Sequence, residues 1–167
     1  MHDSSTRSCT TPSSVRLRAL READRAPLEA ILRATRAFRE DEIPVALELI
    51  DAGEAAGYRF LVAECDERAA GYCCFGRAPL TLGTFDLYWI AVDPQLHGRG
   101  IGRELMHEAE AQVEREGGRL LLVETSDKPA YASTRAFYER LGYAREAHIA
   151  HYYGPGDGKL VYARRFA

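Results

Sequence analysis

The chain has 167 residues, 46% of them hydrophobic, and a formal net charge of −3. That length supports one substantial core rather than two. The charge excludes a global basic field for nucleic acid, and no apolar run approaches the roughly 18 residues of a membrane-spanning helix. Residues 1–14, "MHDSSTRSCTTPSS", lack the apolar stretch of a secretory signal and are expected to be a disordered tail, with residues 15–167 as one domain. The four cysteines (Cys9, Cys65, Cys73, Cys74) form no CxxC pair, which suits buried thiols in a reducing, cytoplasmic setting. The five histidines show no ligand pair, so no metal site is expected.

Val15 to Leu20 alternates as a first strand. Asp24 is placed as an N-cap with Pro27 in the first turn after it, and Leu28, Ile31, Leu32, Thr35 and Phe38 recur at helical spacing. A second helix runs through "EIPVALELIDA" and ends near Gly53. "YRFLVAEC" and "AAGYCCFGRA" read as strands joined by the polar turn "DERA", followed by the strand "TFDLYWIAV", which Asp93-Pro94 closes. Ile101, Leu105, Ala109 and Val113 line one face of the next helix, with Glu104, Glu108, Glu110, Glu114 and Glu116 on its polar side, and Gly117-Gly118 stops it. "RLLLVETS" is apolar enough to be covered on both faces. Pro129 opens the helix "AYASTRAFYERL", capped by Gly142, and "YAREAHIAHYY" and "GKLVYARRF" are two final strands around "GPGDG". Three consecutive strands favour an antiparallel meander, while the strand–helix–strand unit at 84–124 requires one parallel pair. The expected fold is a mixed, mostly antiparallel sheet of about seven strands with helices on both faces.

The stretch "QLHGRGIG" at 95–102 carries Gly98, Gly100 and Gly102 where that strand gives way to a helix. A helix N-terminus presents unpaired N–H groups and the positive end of a dipole, and glycine lets a phosphate approach them. His97, Arg99 and Arg103 add charge at the rim. A P-loop is excluded because no Lys-Ser/Thr follows the glycines. A dinucleotide fingerprint is disfavoured: Arg103 stands where its third glycine belongs, and the motif normally follows the first strand of its domain. Glu124, 24 residues after Gly100, is the one point in favour of that rival.

"VDPQLHGRGIG" resembles the acyl-coenzyme A signature of the GCN5-related N-acetyltransferase (GNAT) family, with Gln95, Gly98 and Gly100 at its fixed positions. "STRAFYERLGY" resembles the family's second hallmark, and the element order fits from about Val15 to Phe166. Together with "DLYWIAVDP", "VETS" and "GDGKLVY" these motifs resemble an uncharacterised bacterial branch. The resemblance implies acetyl-CoA lying where strands 4 and 5 splay. Its pantetheine arm would lie on the backbone of Ile90, Ala91 and Val92. Its pyrophosphate would sit on the amides of His97, Gly98, Arg99, Gly100, Ile101 and Gly102, helped by Gln95 and Arg103.

Transfer to an amine needs a base to neutralise the nucleophile, a donor for the developing oxyanion and an acid for the departing thiolate. The resemblance makes Tyr138 the acid, its side chain directed at the sulfur. Asp86 is the first candidate base. Asp86, Tyr88, Ile90 and Val92 are expected on one strand face, and a carboxyl among aromatics has a raised pKa. Glu124 is the second candidate and a water chain the third. A main-chain N–H between Ile90 and Val92, at a bulge, is the implied oxyanion donor. The acceptor pocket is assigned to Phe38 and Glu42 in the joint "FREDEIP", Tyr88 on strand 4, Glu124 on strand 5, and His151 and Tyr153 in "HIAHYY". The chain departs from the branch in two places. The branch more often has Asp-Phe-Tyr at His151-Tyr152-Tyr153 and Asp-Asp-Lys at Asp157-Gly158-Lys159, which puts substrate choice in doubt. The implied activity is N-acetylation of a primary amine on a small molecule or peptide, with acetyl-CoA as cosubstrate, no nucleic-acid or membrane partner, and a homodimer left open. The alternatives are a catalytically silent acyl-CoA-binding regulator and a dinucleotide-binding domain.

Overall fold

The computed structural model describes residues 15–167; the expected tail lies outside the described residues. The elements are β1 (Arg16–Arg18), α1 (Arg25–Thr35), α2 (Glu42–Ala52), β2 (Tyr58–Cys65), β3 (Arg68–Arg77), β4 (Thr84–Val92), α3 (Ile101–Arg115), β5 (Leu120–Ser126), α4 (Ala132–Arg140), β6 (Ala144–Gly154) and β7 (Asp157–Arg165). The described strands form one seven-stranded sheet in the order β1-β2-β3-β4-β5-β7-β6. Neighbours are antiparallel except β4 and β5, which α3 connects in parallel. A dinucleotide-binding sheet is mostly parallel, so this topology removes that alternative.

Each face of the sheet has its own core. Leu28, Ile31, Ile43 and Leu47 of α1 and α2 pack on Phe60, Val62 and Tyr72. On the other face Ile101, Leu105, Met106 and Val113 of α3 pack on Phe75, Phe85 and Leu121, with Tyr138 of α4 in the same cluster. Cys73 and Cys74, adjacent in β3, fall into opposite cores as strand alternation requires. No described helix is long and apolar enough to cross a membrane.

Several local expectations change. β1 is only three residues long, and Arg18 at its end lies between Asp24 (2.6 Å) and Glu64 (2.6 Å). Asp24 precedes α1 but does not cap it with its side chain; both its oxygens hold the Arg18 guanidinium, and one also accepts the Arg21 N–H. Arg36 enters the left-handed region (φ 51) and ends α1 at Thr35, so Phe38 lies beyond the helix. The turn after β2 is the pair Asp66-Glu67, both with positive φ, and Arg68 already belongs to β3. Pro129–Tyr131 forms a 3₁₀ turn ahead of α4. Glu110, placed on the polar side of α3, is 5% exposed. It accepts a hydrogen bond from the Tyr143 hydroxyl (3.0 Å) and pairs with Arg164 (3.5 Å) and the His107 ring (3.6 Å).

Two features of β4 position the site. The register against β3 slips between Cys74↔Trp89 and Phe75↔Leu87, so Tyr88 is an extra, bulged residue. Ladder pairing with β5 ends at Leu87↔Val123, although β4 runs on to Val92 and β5 to Ser126. Beyond that pair the two strands part.

Candidate active site

The parting strands open into a cavity of about 410 Å³, closed by the α1–α2 joint, the start of α4 and the β6–β7 hairpin. Of the residues assigned from sequence, Phe38, Glu42, Asp86, Tyr88, Ile90, Glu124, Tyr138 and Tyr153 all line it. The predicted shared face of Asp86, Tyr88, Ile90 and Val92 does not form. The bulge at Tyr88 reverses the alternation, and Ile90 and Val92 pack with the α3-side core, as Phe85 and Leu87 do before the bulge. Trp89 and Ala91 turn toward α1 and α2 instead. The bulge thus lies two residues ahead of the Ile90–Val92 stretch named for the oxyanion donor.

Asp86 is partly buried and accepts no hydrogen bond and joins no ion pair among the described residues. Burial, then the negative charge of Glu124, raise its pKa above the usual carboxylate range, against an opposing pull from Lys159. Glu124 is bound by the Lys159 ammonium at 2.9 Å, and that ammonium also sits 4.0 Å over the Tyr152 ring. Asp157 accepts from Ser126 Oγ (2.5 Å) and pairs with Lys128 (3.0 Å), which hold it below its ordinary pKa. Glu42 accepts the Arg39 N–H (2.7 Å) and lies 3.6 Å from the Arg39 guanidinium.

Tyr138 is 4% exposed, with Phe137, Tyr143 and Tyr162 rings around it at 5.3, 5.8 and 6.4 Å. Its hydroxyl has no hydrogen-bond partner among the described residues, and burial pushes its pKa far up. The phenol therefore stays protonated at every ordinary pH. The end of α4 fixes its height: Tyr143 N–H returns to the Tyr138 carbonyl at 3.1 Å.

The glycine loop adjoins the end of β4. Gly98 (φ 79) and Gly100 (φ 83) take left-handed conformations, and nothing lies within 4 Å of where a Gly98 Cβ would stand. The N–H groups of Gly98, Arg99, Gly100, Ile101, Gly102 and Arg103 find no acceptor among the described residues. They converge on an α-helix N-terminus, which is a cradle for an anion. One assigned amide is already engaged, His97 N–H on Pro94 O (3.3 Å), and the backbone of the helper Gln95 is held by Asp93 Oδ1 (2.9 Å). The His97 ring is on the Val92 carbonyl (3.0 Å). Gly102 also serves packing, since a Cβ there would meet Phe137 at 3.3 Å.

His151 is not brought to the cavity. It takes φ 59 in an irregular part of β6, and its Nδ1 accepts the Gly156 N–H at 2.8 Å, so it shapes the hairpin. Residues not singled out from the sequence complete the walls. Trp89 meets Phe38 edge-on at 5.0 Å, and Tyr131 donates to the Ala37 carbonyl at 2.9 Å, tying the turn before α4 to the α1–α2 joint. Of the two departures from the branch, the one at His151 turns away to the hairpin, and at the other Gly158 gives its N–H to Asp127 (2.8 Å), whose other oxygen lies 2.8 Å from His148 Nε2.

Comparison with known proteins agrees with this architecture. Residues 56–145 match the family model of the GNAT acetyltransferase domain. A GNAT-family protein from Desulfovibrio desulfuricans is 41% identical, covers 92% of this chain and 100% of its own, and superposes with a TM-score of 0.88. The ribosomal-protein-S18-alanine N-acetyltransferase of Escherichia coli shares the fold at 23% identity (92% and 94% of the chains, TM-score 0.71). So does the PaiA N-acetyltransferase of Thermoplasma acidophilum, solved with coenzyme A, at 17% identity (92% and 99%, TM-score 0.73). The fold and site define an acyl-transfer enzyme of mixed α and β structure. The chain belongs to the GNAT family of acetyltransferases.

Proposed function

We propose that residues 15–167 form one catalytic domain that acetylates a primary amine by direct attack on acetyl-CoA. The observation that carries this is the parting of β4 and β5 next to the six unpartnered amides of Gly98 to Arg103. One end of the gap can hold a pyrophosphate, and the other opens beside Asp86 and Tyr138. The edge of Ile90 to Val92, which no longer pairs with β5, suits strand-like pairing with a pantetheine arm. Acetyl-CoA, when bound, supplies a thioester carbonyl and a thiolate leaving group.

The chain's own groups supply the rest. Asp86 takes a proton from the incoming ammonium, and its raised pKa brings it nearer to that task at neutral pH. A backbone N–H freed from the ladder at the Tyr88 bulge donates to the charge that develops on the carbonyl oxygen. Tyr138 keeps its proton until the sulfur departs. Glu124 is engaged by the Lys159 ammonium at 2.9 Å, which favours Asp86 over Glu124 as the base. The buried thiols Cys73 and Cys74 suit a reducing, cytoplasmic setting.

Calorimetric titration with acetyl-CoA, with NADH as control, tests the reading. One-site binding of acetyl-CoA and none of NADH is expected, and thiol release with some amine would exclude a silent regulator. Absence of acetyl-CoA binding would overturn it.

A further inference from the structure

Resting on the acetyltransferase reading, we propose that the acceptor is a small aromatic monoamine, its ring lodged between Phe38, Trp89 and the tyrosines of the cavity and its single ammonium on Asp86. Three observations carry this.

The first is the lining. Phe38, Tyr88, Trp89, Tyr131 and Tyr153 come from four separate parts of the chain to face one space. Phe38 and Trp89 already meet edge-to-face at 5.0 Å, an arrangement that a third ring extends. Tyr88 and Tyr153 keep 38% and 40% of their surface open, aromatic area that a ligand ring would cover.

The second is the charge balance. Four carboxylates line the cavity, and three of them have partners on the protein: Glu42 with Arg39, Glu124 with Lys159, and Asp157 with Lys128. Asp86 alone among these has none among the described residues. One open carboxylate balances one ammonium. A polyamine or an aminosugar would bring further ammonium groups to carboxylates that already have cationic partners, and would face the Arg39 guanidinium, which Glu42 shares with Asp41.

The third is size and closure. At about 410 Å³ the space is near the lower end of small-molecule sites, about 300–1,000 Å³, and it must also admit the thioester. The Tyr131–Ala37 hydrogen bond ties two of its walls together. A small acceptor fills a space of that size, whereas a peptide would leave most of its length outside it.

The transfer balances. Asp86 takes one proton from the ammonium. The neutral nitrogen forms the C–N bond to the acetyl carbon, and the C–S bond breaks with its electron pair on sulfur. Tyr138 gives its proton to the sulfur and regains one from the acylated nitrogen, and Asp86 sheds its proton to water. The products are the N-acetyl amine, coenzyme A and one proton.

The test is thiol release at saturating acetyl-CoA with tyramine, tryptamine and phenethylamine against spermidine, kanamycin and an alanine-starting peptide. The aromatic monoamines are expected to exceed the others in kcat/KM by about 100-fold. Trp89→Leu is expected to raise KM for tyramine about tenfold while leaving kcat and the acetyl-CoA Kd near those of the parent. If that variant does not fold, Phe38→Leu gives the same readout. Preference for spermidine, kanamycin or the peptide would overturn the inference while leaving the acetyltransferase reading intact. So would acetyl-CoA binding with no aromatic amine turned over. Failure to bind acetyl-CoA would overturn the acetyltransferase reading itself.

Discussion

Glu110 and Asp86 are both carboxylates withdrawn from water, and they are opposites. Glu110, under α3, is met by Tyr143, Arg164 and His107. Asp86, on β4, is met by no cation or donor among the described residues, and its pKa is raised. Burial costs a carboxylate its solvation, a cost that falls when partners arrive and remains when they do not. The difference teaches that burial alone does not mark a reactive acid. Burial with an unmet demand, beside a cavity, does. A satisfied carboxylate holds the fold together at the corner where α3, the end of α4 and β7 meet.

Substitution sharpens the contrast. Asp86→Asn should lower kcat by about 100- to 10,000-fold, the range for loss of a general base, while leaving acetyl-CoA affinity close to the parent's. The same change should raise Tm at neutral pH. A carboxyl with a raised folded-state pKa is disfavoured when ionised, so the parent loses stability as pH rises through that pKa, and the amide does not. The gap in Tm should close as pH falls below it. Retained kcat in Asp86→Asn would place the base elsewhere. Glu110→Ala should do the reverse: lower stability by about 2 kcal/mol through a lost charged hydrogen bond, a fall in Tm of about 4–8 °C, with kcat changed mainly through the tilt of Tyr138 beside Tyr143. Unchanged Tm would break the comparison. The smallest effect belongs to Glu124→Gln. Removing that negative neighbour lowers the Asp86 pKa, so the acidic limb of the kcat/KM profile should move to lower pH with the plateau within about twofold. An unmoved limb would uncouple the two acids.

Much of this was legible in the residues. β4 was read as "TFDLYWIAV", its observed extent, and the glycines after it sit at a helix start, because apolar alternation and glycine punctuation are local signals. The bulge at Tyr88 was not legible. It arises from registration against β3, a tertiary event, and it overturned the face assigned to Ile90 and Val92 and hid Trp89 as a wall of the cavity. Glu110 was misplaced for a related reason: a helical wheel shows an acidic flank but not the Tyr143 just ahead of β6 and the Arg164 of β7 that arrive from far along the chain and bury it. His151 looked like a pocket residue by its neighbours Tyr152 and Tyr153, yet its positive φ turns its ring to a hairpin amide. The tie from Tyr131 to Ala37 joins groups 94 residues apart, and no local pattern announces it.

Gly158 shows how such a site can change over generations. A Cβ there would stand 2.4 Å from Asp127 Oδ2 and 2.7 Å from His148 Nε2. Positions 127, 148 and 158 are therefore linked. Any side chain at 158 displaces the tips of Asp127 and His148, so a lineage that gains an acid there also remakes that pair.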